Sequence, residues 1–409
     1  MPSLPSSIFH SYDIRGKYPE ELTDNISLLL GKALGTYVIC NIDTHLALRV
    51  CVGQDKRKSG IPLKESFVRG VISTSCDVID LGVVTTPMVN FYDATEHAPT
   101  AKVAAGISIT ASHIKKDHNG FKISFNKKPF SQKDYQELRK IVEIGKYEKG
   151  EGRIEKINIE KDYFNNLYSS VSIDKDEISK ISNEIKISQD ADGDRLIVEG
   201  VEPDLLNAIF AASILEKNPN ATIVLNTASS LSVIEYIKRH GGKVIFSKTG
   251  YPNIMRTMEE KDAIFGGEIS GHFYFKDKHF GYSDGLYSAA RLCEIIETKD
   301  VSLAQLVKQI PQYPSTPEIR VELPEDKDVH KIVGELIEEA HSKFKNAEFL
   351  EIDGVRITFP DKSWFLIRAS GTENAVSVRA ESKTRNGLEE IKKSLGAIFR
   401  KQRLSIPNQ

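Results

Sequence analysis

Residues 106–123 read GISITASHIKKDHNGFKI, and the organisation of the whole chain can be worked out from this stretch. Apolar and small polar residues alternate over residues 106–111, which predicts a short buried strand. The Asn-Gly pair at 119–120 is a turn signal. Alternation resumes over residues 121–123, so a second strand would direct Lys122 back over the intervening loop.

This loop contains a serine surrounded by cationic side chains. Ser112 is followed by His113, Lys115, Lys116 and Lys122. Cations stabilise a phosphoryl group carried on a hydroxyl, whereas a serine in this setting is poorly placed to lose its proton to a triad base. The residues alone leave two interpretations open, a loop that carries a phosphoserine or a polar loop with ordinary solvated lysines.

The composition is that of an ordinary globular protein. The 409 residues are enough for several domains with separate cores, and the formal net charge is −2. This charge gives no electrostatic reason to expect nucleic acid or an anionic membrane as a partner. No apolar stretch reaches the roughly 18 residues of a membrane span. The four cysteines are scattered without metal-binding spacing, which predicts reduced core residues in a cytoplasmic protein.

The hydrophobic pattern alternates between strand and helix, which predicts parallel, doubly wound sheets. The order strand, helix, strand occurs over residues 46–87 and again, with nearly equal spacing, over residues 222–252. We interpret these two regions as copies of one α/β domain. From residue 314 onward the pattern changes to strands and two long amphipathic helices, which predicts an α+β domain.

Residues 189–195 read QDADGDR and contain aspartates at three alternating positions. In an extended segment the carboxylates of Asp190, Asp192 and Asp194 would point the same way, and Gly193 permits the turn that brings them together. Three hard oxygen donors suit Mg²⁺, whereas the ligand spacing of a calcium loop is not continued. An exposed acidic turn is the alternative interpretation.

A second polar loop lies within residues 265–275, which read FGGEISGHFYF. Glu268 can accept hydrogen bonds from two vicinal hydroxyl groups, and Ser270 and His272 can make further ones. This combination of residues is typical of sugar recognition, although the motif alone is weak.

A third polar loop follows a predicted strand at residues 368–374, which read RASGTEN. Arg368 can bind a phosphate group through two hydrogen bonds. Ser370, Thr372 and the backbone amides around Gly371 would complete a phosphate cradle. A polar turn is the alternative.

In this order the motifs resemble those of the α-D-phosphohexomutases, the family that contains phosphomannomutase and phosphoglucomutase. The match comprises TASH followed by NGFKI, then DADGDR, GEISGH and RASGTE, and it covers nearly the whole chain. It implies repeated doubly wound α/β domains and a closing α+β domain. It also implies reversible phosphoryl transfer between the 1- and 6-positions of mannose or glucose phosphates. The reaction would use a phosphoserine at Ser112 and a hexose 1,6-bisphosphate, which also serves as activator.

The resemblance assigns the catalytic roles. Mg²⁺ would be bound by the three aspartates and by the phosphate on Ser112, with Arg195 beside it. Arg15, in the YDIRG stretch at residues 12–16, would contact the reacting phosphate; without the family it would be interpreted as part of a surface salt bridge. Lys122 would transfer the proton at the sugar hydroxyl, with His113 assisting.

The resemblance also assigns the substrate-binding roles. The sugar and the phosphate that is not reacting would be bound by Tyr12, Lys248, Glu268, Ser270, His272, Arg368, Ser370, Gly371 and Thr372. Ile269 resembles the mannose and glucose enzymes, whereas glucosamine enzymes tend to have Gln at this position.

The chain departs from the family pattern at several positions. Ala228 stands where a lysine is usual, Tyr251 where a histidine is usual, and Asn374 where a proline is usual. The interval from Ser112 to Asp190 is too short for a complete α/β domain. We therefore predict domains at residues 1–148, 149–200 (shortened), 201–313 and 314–409. The alternatives that remain are phosphoglucosamine mutase and a non-catalytic paralogue that binds sugar phosphates, and the oligomeric state is left open.

Overall fold

The computed structural model describes residues 4–95, 101–112, 114–324, 326–371, 374–402, 404 and 406. The chain divides into two compact units, the first formed by Met1–Glu199 and His272–Thr298 and the second by Gly200–Gly271 and Lys299–Gln409. The predicted residues His113 and Thr372 lie outside the described residues.

The strands, numbered along the chain, are β1 (Ile14–Lys17), β2 (Ala47–Gln54), β3 (Asp77–Val83), β4 (Ala101–Ile109), β5 (His118–Phe125), β6 (Lys128–Pro129), β7 (Ile154–Lys156), β8 (Ile187–Gln189), β9 (Leu196–Val198), β10 (Thr222–Asn226), β11 (Lys243–Ser247), β12 (Phe265–Gly267), β13 (Phe273–Phe275), β14 (Ile319–Glu322), β15 (Glu348–Leu350), β16 (Val355–Thr358), β17 (Trp364–Ala369) and β18 (Ala375–Glu381).

The helices are α1 (Asp24–Asn41), α2 (Gly60–Ile72), α3 (Thr86–Ala94), α4 (Gln132–Ile144), α5 (Glu160–Ser169), α6 (Lys175–Glu184), α7 (Pro203–Lys217), α8 (Leu231–Arg239), α9 (Tyr251–Glu260), α10 (Gly285–Lys299), α11 (Leu303–Lys308), α12 (Val329–Lys343) and α13 (Arg385–Lys401).

A mixed sheet organises the first unit, with the strand order β1-β5-β4-β2-β3-β7. Strands β4, β2, β3 and β7 pair in parallel, as predicted for a doubly wound sheet. Strand β5 instead runs antiparallel to β4 and β1. The doubly wound sheet is therefore mixed at this edge, because the short loop from β4 to β5 can only reverse the direction of the chain.

The Asn-Gly pair at 119–120 does not form the predicted turn. It lies inside β5, where Gly120 is opposite Arg15 of β1. A Cβ atom on Gly120 would lie 2.3 Å from the carbonyl oxygen of Ile14, so the glycine serves the close approach of two strands. In this protein the glycine of the Asn-Gly pair is therefore explained by the packing of two strands and not by a turn.

The segment that follows α4 is attached to the first unit through its backbone. The Gly150 and Gly152 amides donate to the carbonyl oxygens of Ser73 and Ile72 at 3.0 and 2.7 Å. Strand β7 then pairs in parallel with β3. Three residues from the predicted second domain therefore extend the first sheet, while the domain boundaries themselves stay a prediction.

The second unit contains two separate sheets. Strand β10 pairs in parallel with β11 and β12, which agrees with the predicted α/β repeat. The other sheet is antiparallel, with the order β14-β18-β17-β16-β15. Helices α12 and α13 contribute Leu336, Ile398 and Phe399 to the core that covers this sheet. Strands β15 and β18 were not predicted, although β18 has the buried alternation of Val376, Val378 and Ala380.

Within the described ranges, no helix is long and apolar enough to cross a membrane. All four cysteines are free thiols; Cys51, Cys76 and Cys293 are buried and Cys40 is exposed. This agrees with the prediction that three cysteines belong to the core.

Candidate active site

Ser112 lies in the loop that leaves the carboxyl end of β4, and it is buried. Its backbone has φ +51°, a left-handed conformation that is uncommon for a residue other than glycine. The Ser112 amide donates to Thr110 Oγ1 at 2.9 Å, and the Ser112 hydroxyl donates to Asp190 Oδ2 at 3.0 Å. The loop therefore presents a hydroxyl group directly to an acidic partner.

Arg57 holds this loop, and sequence reasoning missed it. Its Nε donates to Asp55 Oδ2 at 3.1 Å. Its remaining N–H groups donate to four backbone carbonyl oxygens, those of Lys115, His118, Ser112 and Ile114, at 2.7 to 3.2 Å. All five donors of the guanidinium are thus used. A possible signal was its position directly after β2, because the carboxyl ends of neighbouring parallel strands meet at one edge of a sheet.

The aspartate loop, residues 190–195, connects β8 to β9. Carboxylate oxygens of Asp190, Asp192 and Asp194 all lie within 4.8 Å of one another. They converge through a turn at Gly193, which has φ +77°, as the glycine in this motif predicted. A Cβ atom on Gly193 would lie 2.9 Å from Thr85 Cγ2, so only glycine fits.

The three carboxylates have the properties of a site for a hard cation. Asp192 Oδ2 accepts a hydrogen bond from Thr86 Oγ1 at 3.0 Å, whereas Asp192 Oδ1 is buried and has no hydrogen-bond partner among the described residues. Burial raises the pKa of Asp190 to about 6, and the carboxylates of Asp194 and Asp192 add to this rise. Such mutual repulsion is relieved when a divalent cation is bound.

Lys122 supplies a positive charge to the same loop. Its Nζ lies 2.6 Å from both Asp192 Oδ2 and Asp194 Oδ2. Burial by itself lowers the pKa of Lys122, but the two carboxylates outweigh burial and raise that pKa above its ordinary value. The side chain is therefore an ammonium group directed at the aspartate loop, which is where the sequence predicted a proton-transfer residue.

Arg195 and His272 complete the charged cluster of the first unit. Arg195 Nε lies 3.5 Å from Asp190 Oδ2 and 3.3 Å from His272 Nε2. His272 Nε2 is also 3.4 Å from Asp194 Oδ1. Burial alone would raise the pKa of Asp194, but the Lys122 ammonium, the neighbouring His272 ring and the Arg195 guanidinium outweigh burial and hold that pKa well below its usual range. His272, predicted to bind the sugar, thus lies beside the aspartate loop.

Arg15 lies on β1, the edge strand of the same sheet, and Tyr12 lies two residues before that strand. Arg15 is opposite Gly120 in the pairing of β1 with β5, so it shares a sheet face with Lys122, two residues further along β5. The Arg15 guanidinium forms an ion pair with Asp13. Its Nε is buried without a hydrogen-bond partner among the described residues. An arginine with a spare buried donor is suited to bind an anion.

The sugar-loop residues of the second unit are held by their own neighbours. Glu268 is buried, and its Oε1 accepts a hydrogen bond from the Gly250 amide at 2.8 Å. The amide of Thr249, next to Lys248, donates to Asp353 Oδ2 at 3.0 Å. Glu268 and the turn that contains Lys248 are therefore brought together.

Ala228 explains how the chain fills a position where the family usually has a lysine. Ala228 is buried in a small apolar cluster with Trp364 and Leu366, against which Ile269 of the sugar loop packs. The carbonyl oxygen of Ala228 accepts a hydrogen bond from Arg379 at 3.0 Å. A long cationic side chain at position 228 would have to displace these apolar groups.

The predicted phosphate loop begins at the end of β17. Arg368 Nη2 lies 2.7 Å from Glu318 Oε1, and the Ser370 amide donates to the Ala375 carbonyl oxygen at 2.9 Å. The second contact joins the end of β17 to the start of β18. The loop therefore has a defined base, and Arg368 is paired with a carboxylate there.

Three parts of the chain match the descriptions of one protein family. Residues 6–149 match "Phosphoglucomutase/phosphomannomutase, alpha/beta/alpha domain I". Residues 202–313 match the alpha/beta/alpha domain III of the same family, and residues 318–396 match its C-terminal domain.

Similar proteins of known name extend this match to nearly the whole chain. The phosphoglucomutase of Neisseria meningitidis serogroup A is 30% identical over 463 aligned positions, which cover 98% of each chain. The phosphomannomutase/phosphoglucomutase of Pseudomonas aeruginosa PAO1 is 30% identical over 98% of this chain and 96% of the relative. Because the first alignment is longer than the 409 residues of this chain, that relative contains residues that this chain lacks.

A solved structure agrees. The phosphoglucomutase/phosphomannomutase family protein from Burkholderia thailandensis superimposes with a TM-score of 0.86 at 25% identity, over 98% of this chain and 99% of that one. Together these matches confirm the predicted fold class and the predicted enzyme class, a hexose phosphate mutase. This chain therefore belongs to the phosphoglucomutase/phosphomannomutase family.

Proposed function

We propose that this enzyme moves a phosphoryl group between the 1- and 6-positions of mannose and glucose phosphates, using Ser112 as the phosphoryl carrier. The main support is the 3.0 Å hydrogen bond from the Ser112 hydroxyl to Asp190, within a loop of three converging carboxylates. In the first half of the cycle, the phosphoryl group on Ser112 passes to the free hydroxyl of the substrate and forms a hexose 1,6-bisphosphate. In the second half, the other phosphate returns to Ser112.

Asp190, Asp192 and Asp194 would hold Mg²⁺, and the phosphate on Ser112 would provide the fourth ligand. The buried, unpartnered Asp192 Oδ1 and the convergence of the three carboxylates support this fit. When bound, Mg²⁺ neutralises the charge on the transferring phosphoryl group.

The chain's own cations would stabilise the same charge. Arg195, beside Asp190, and Arg15, with its spare donor, are placed to contact phosphoryl oxygens. Lys122 holds a proton because of its two carboxylate partners. It can therefore donate that proton to the sugar oxygen when the phosphoryl group leaves this oxygen for Ser112, and it is reprotonated by the proton that the Ser112 hydroxyl gives up as it takes the phosphoryl group. We retain His113 as an assisting residue on the basis of the motif alone.

The second unit would provide the substrate-binding residues. Glu268, Ser270 and Lys248 would form hydrogen bonds with the sugar hydroxyls. Two further substrate-binding residues, His272 and Tyr12, belong to the first unit. Arg368, Ser370, Gly371 and Thr372 would bind the phosphate that is not reacting. One such phosphate site is enough, because the sugar exchanges its two ends between the half-reactions.

The remaining assignments are also proposals. We propose a cytoplasmic enzyme of four domains at residues 1–148, 149–200, 201–313 and 314–409, activated by hexose 1,6-bisphosphate. The four free cysteines and the net charge of −2 support a cytoplasmic location without a nucleic-acid or membrane partner.

A coupled assay tests the function. Glucose 1-phosphate, mannose 1-phosphate and glucosamine 1-phosphate are supplied in turn, with Mg²⁺ and a trace of glucose 1,6-bisphosphate. We expect turnover of the first two, because Glu268 contacts hydroxyls that both sugars share, and almost none by Ser112→Ala. Preferential turnover of glucosamine 1-phosphate would favour phosphoglucosamine mutase. Binding of all three without turnover would favour the non-catalytic paralogue.

A further inference from the structure

The aspartate loop is held in shape by a short segment that none of the motifs contains, residues 283–285. The Ser283 hydroxyl donates to the Asp194 carbonyl oxygen at 2.6 Å, and the Gly285 amide donates to the Gly193 carbonyl oxygen at 3.0 Å. The approach is so close that a Cβ atom on Gly285 would lie 2.3 Å from the Arg195 carbonyl oxygen. The backbone of the aspartate loop is therefore fixed from this side.

Asp284, in the middle of that segment, is fixed in turn by a tyrosine. Asp284 caps helix α10 by accepting a hydrogen bond from the Tyr287 amide at 3.0 Å. The Tyr163 hydroxyl lies 2.9 Å from both oxygens of the Asp284 carboxylate. Asp284 is 1% exposed and Tyr163 is 2% exposed, so this hydrogen bond is shielded from water. His279 Nε2 lies 3.6 Å from the same carboxylate.

Tyr163 comes from helix α5, which lies in the part of the chain between the first two family matches. Its ring packs edge-on against Phe91 of α3, with the ring centroids 5.8 Å apart. Burial raises the pKa of Tyr163 well above its ordinary value, and the Asp284 carboxylate adds to this, so the hydroxyl keeps the proton that it donates. Helix α5 is thus connected to the aspartate loop by Tyr163, Asp284 and Ser283 in sequence.

The aspartate loop needs such support because its carboxylates repel one another. Three negative groups within 4.8 Å favour opening of the loop unless the backbone is held. We propose that Tyr163, Asp284 and Ser283 are positioning residues that keep the aspartate loop ready to bind a divalent cation. This proposal rests on the metal site of the proposed function, and it gives the chain's short middle region a catalytic purpose.

The test measures Mn²⁺ binding to the purified full-length protein by the electron paramagnetic resonance signal of free Mn²⁺. We expect Tyr163→Phe, which removes only a hydroxyl group, to bind Mn²⁺ about ten-fold more weakly, the lower end of the range for residues that orient metal ligands. Ser283→Ala should show a loss at least as large. The matched control is Tyr168→Phe on the same helix, because the partly exposed Tyr168 ring stacks on Phe164 instead; it should bind as wild type does.

The outcomes separate the two levels of the proposal. Wild-type affinity in both Tyr163→Phe and Ser283→Ala would overturn the positioning role and leave the metal site standing. Failure of the wild-type protein to bind Mn²⁺, or equal binding by Asp192→Asn, would overturn the metal site and the positioning role together. If Tyr163→Phe does not fold, Ser283→Ala decides. A purely structural role predicts a lower Tm with unchanged Mn²⁺ affinity, which would also overturn the proposal.

Discussion

Arg57 offers the sharpest test of how the loop that carries Ser112, between β4 and β5, is held in place. Replacing it by lysine keeps a positive charge near the buried Asp55 but provides three donors where five are used. At least two acceptors then lose their partner, at about 1–3 kcal/mol for each one that water cannot reach. Replacement by alanine also leaves Asp55 without its ion pair, which by itself costs about 3–5 kcal/mol.

The same change should also lower turnover. Ser112 has a left-handed backbone, so a loop released from Arg57 relaxes toward conformations that move the hydroxyl away from Asp190. A displacement of about 1 Å is enough to reduce turnover about 100-fold. Urea unfolding and the coupled mutase assay on Arg57→Lys measure the two effects, with Arg69→Lys on helix α2 as a control of equal chemistry. Wild-type turnover by Arg57→Lys would refute the reasoning.

Three further predictions concern separate features. Asp192→Asn should lower turnover at least about 100-fold, while the Tm in EDTA changes little because Lys122 keeps Asp194 as its partner; unchanged Mg²⁺ dependence would indicate an ordinary acidic turn. Glu268→Ala should lower kcat/KM for glucose and mannose phosphates together, by about 10- to 100-fold, and a loss for one sugar alone would contradict the shared contact. Burial raises the pKa of Asp93 from 3.8 to about 6. The free energy of unfolding should therefore fall as pH rises from 3.8 to about 6, and the loss should reach about 3 kcal/mol at higher pH. Urea unfolding at several pH values should therefore show wild type losing stability relative to Asp93→Asn over that range, and parallel curves would exclude the effect.

The aspartate loop and the loop that carries Ser112 could be predicted from their motifs, because the residues with the relevant chemistry lie close together in the sequence. Ser112 and Asp190 are far apart in the chain, and their contact followed from the family resemblance, not from any spacing. The position of His272 beside Arg195 could not be predicted, since a histidine in a sugar-like motif gives no sign of which neighbour its ring will contact.

The residues that hold these loops in place could not be predicted from the sequence, for a different physical reason. Arg57, Thr86 and Ser283 act through hydrogen bonds to the backbone or side chains of distant segments. Such contacts leave no periodicity and no local motif. The Asn-Gly pair shows the opposite error. It is a strong local signal for a turn, but the structure has a strand there, and the glycine allows the close approach of a neighbouring strand at Gly120.

The attachment of strand β7 has a consequence for how this protein could have changed length in evolution. The middle region begins at β7, which is paired with β3, and ends at the aspartate loop, which Thr86 and Ser283 hold in place. Between these two junctions, helix α5 also contacts the rest of the first unit through the hydrogen bond from Tyr163 to Asp284. Residues can therefore be gained or lost before or after α5 while both junctions persist, but loss of α5 itself would remove one support of the aspartate loop, so natural selection can resize this region only around that helix.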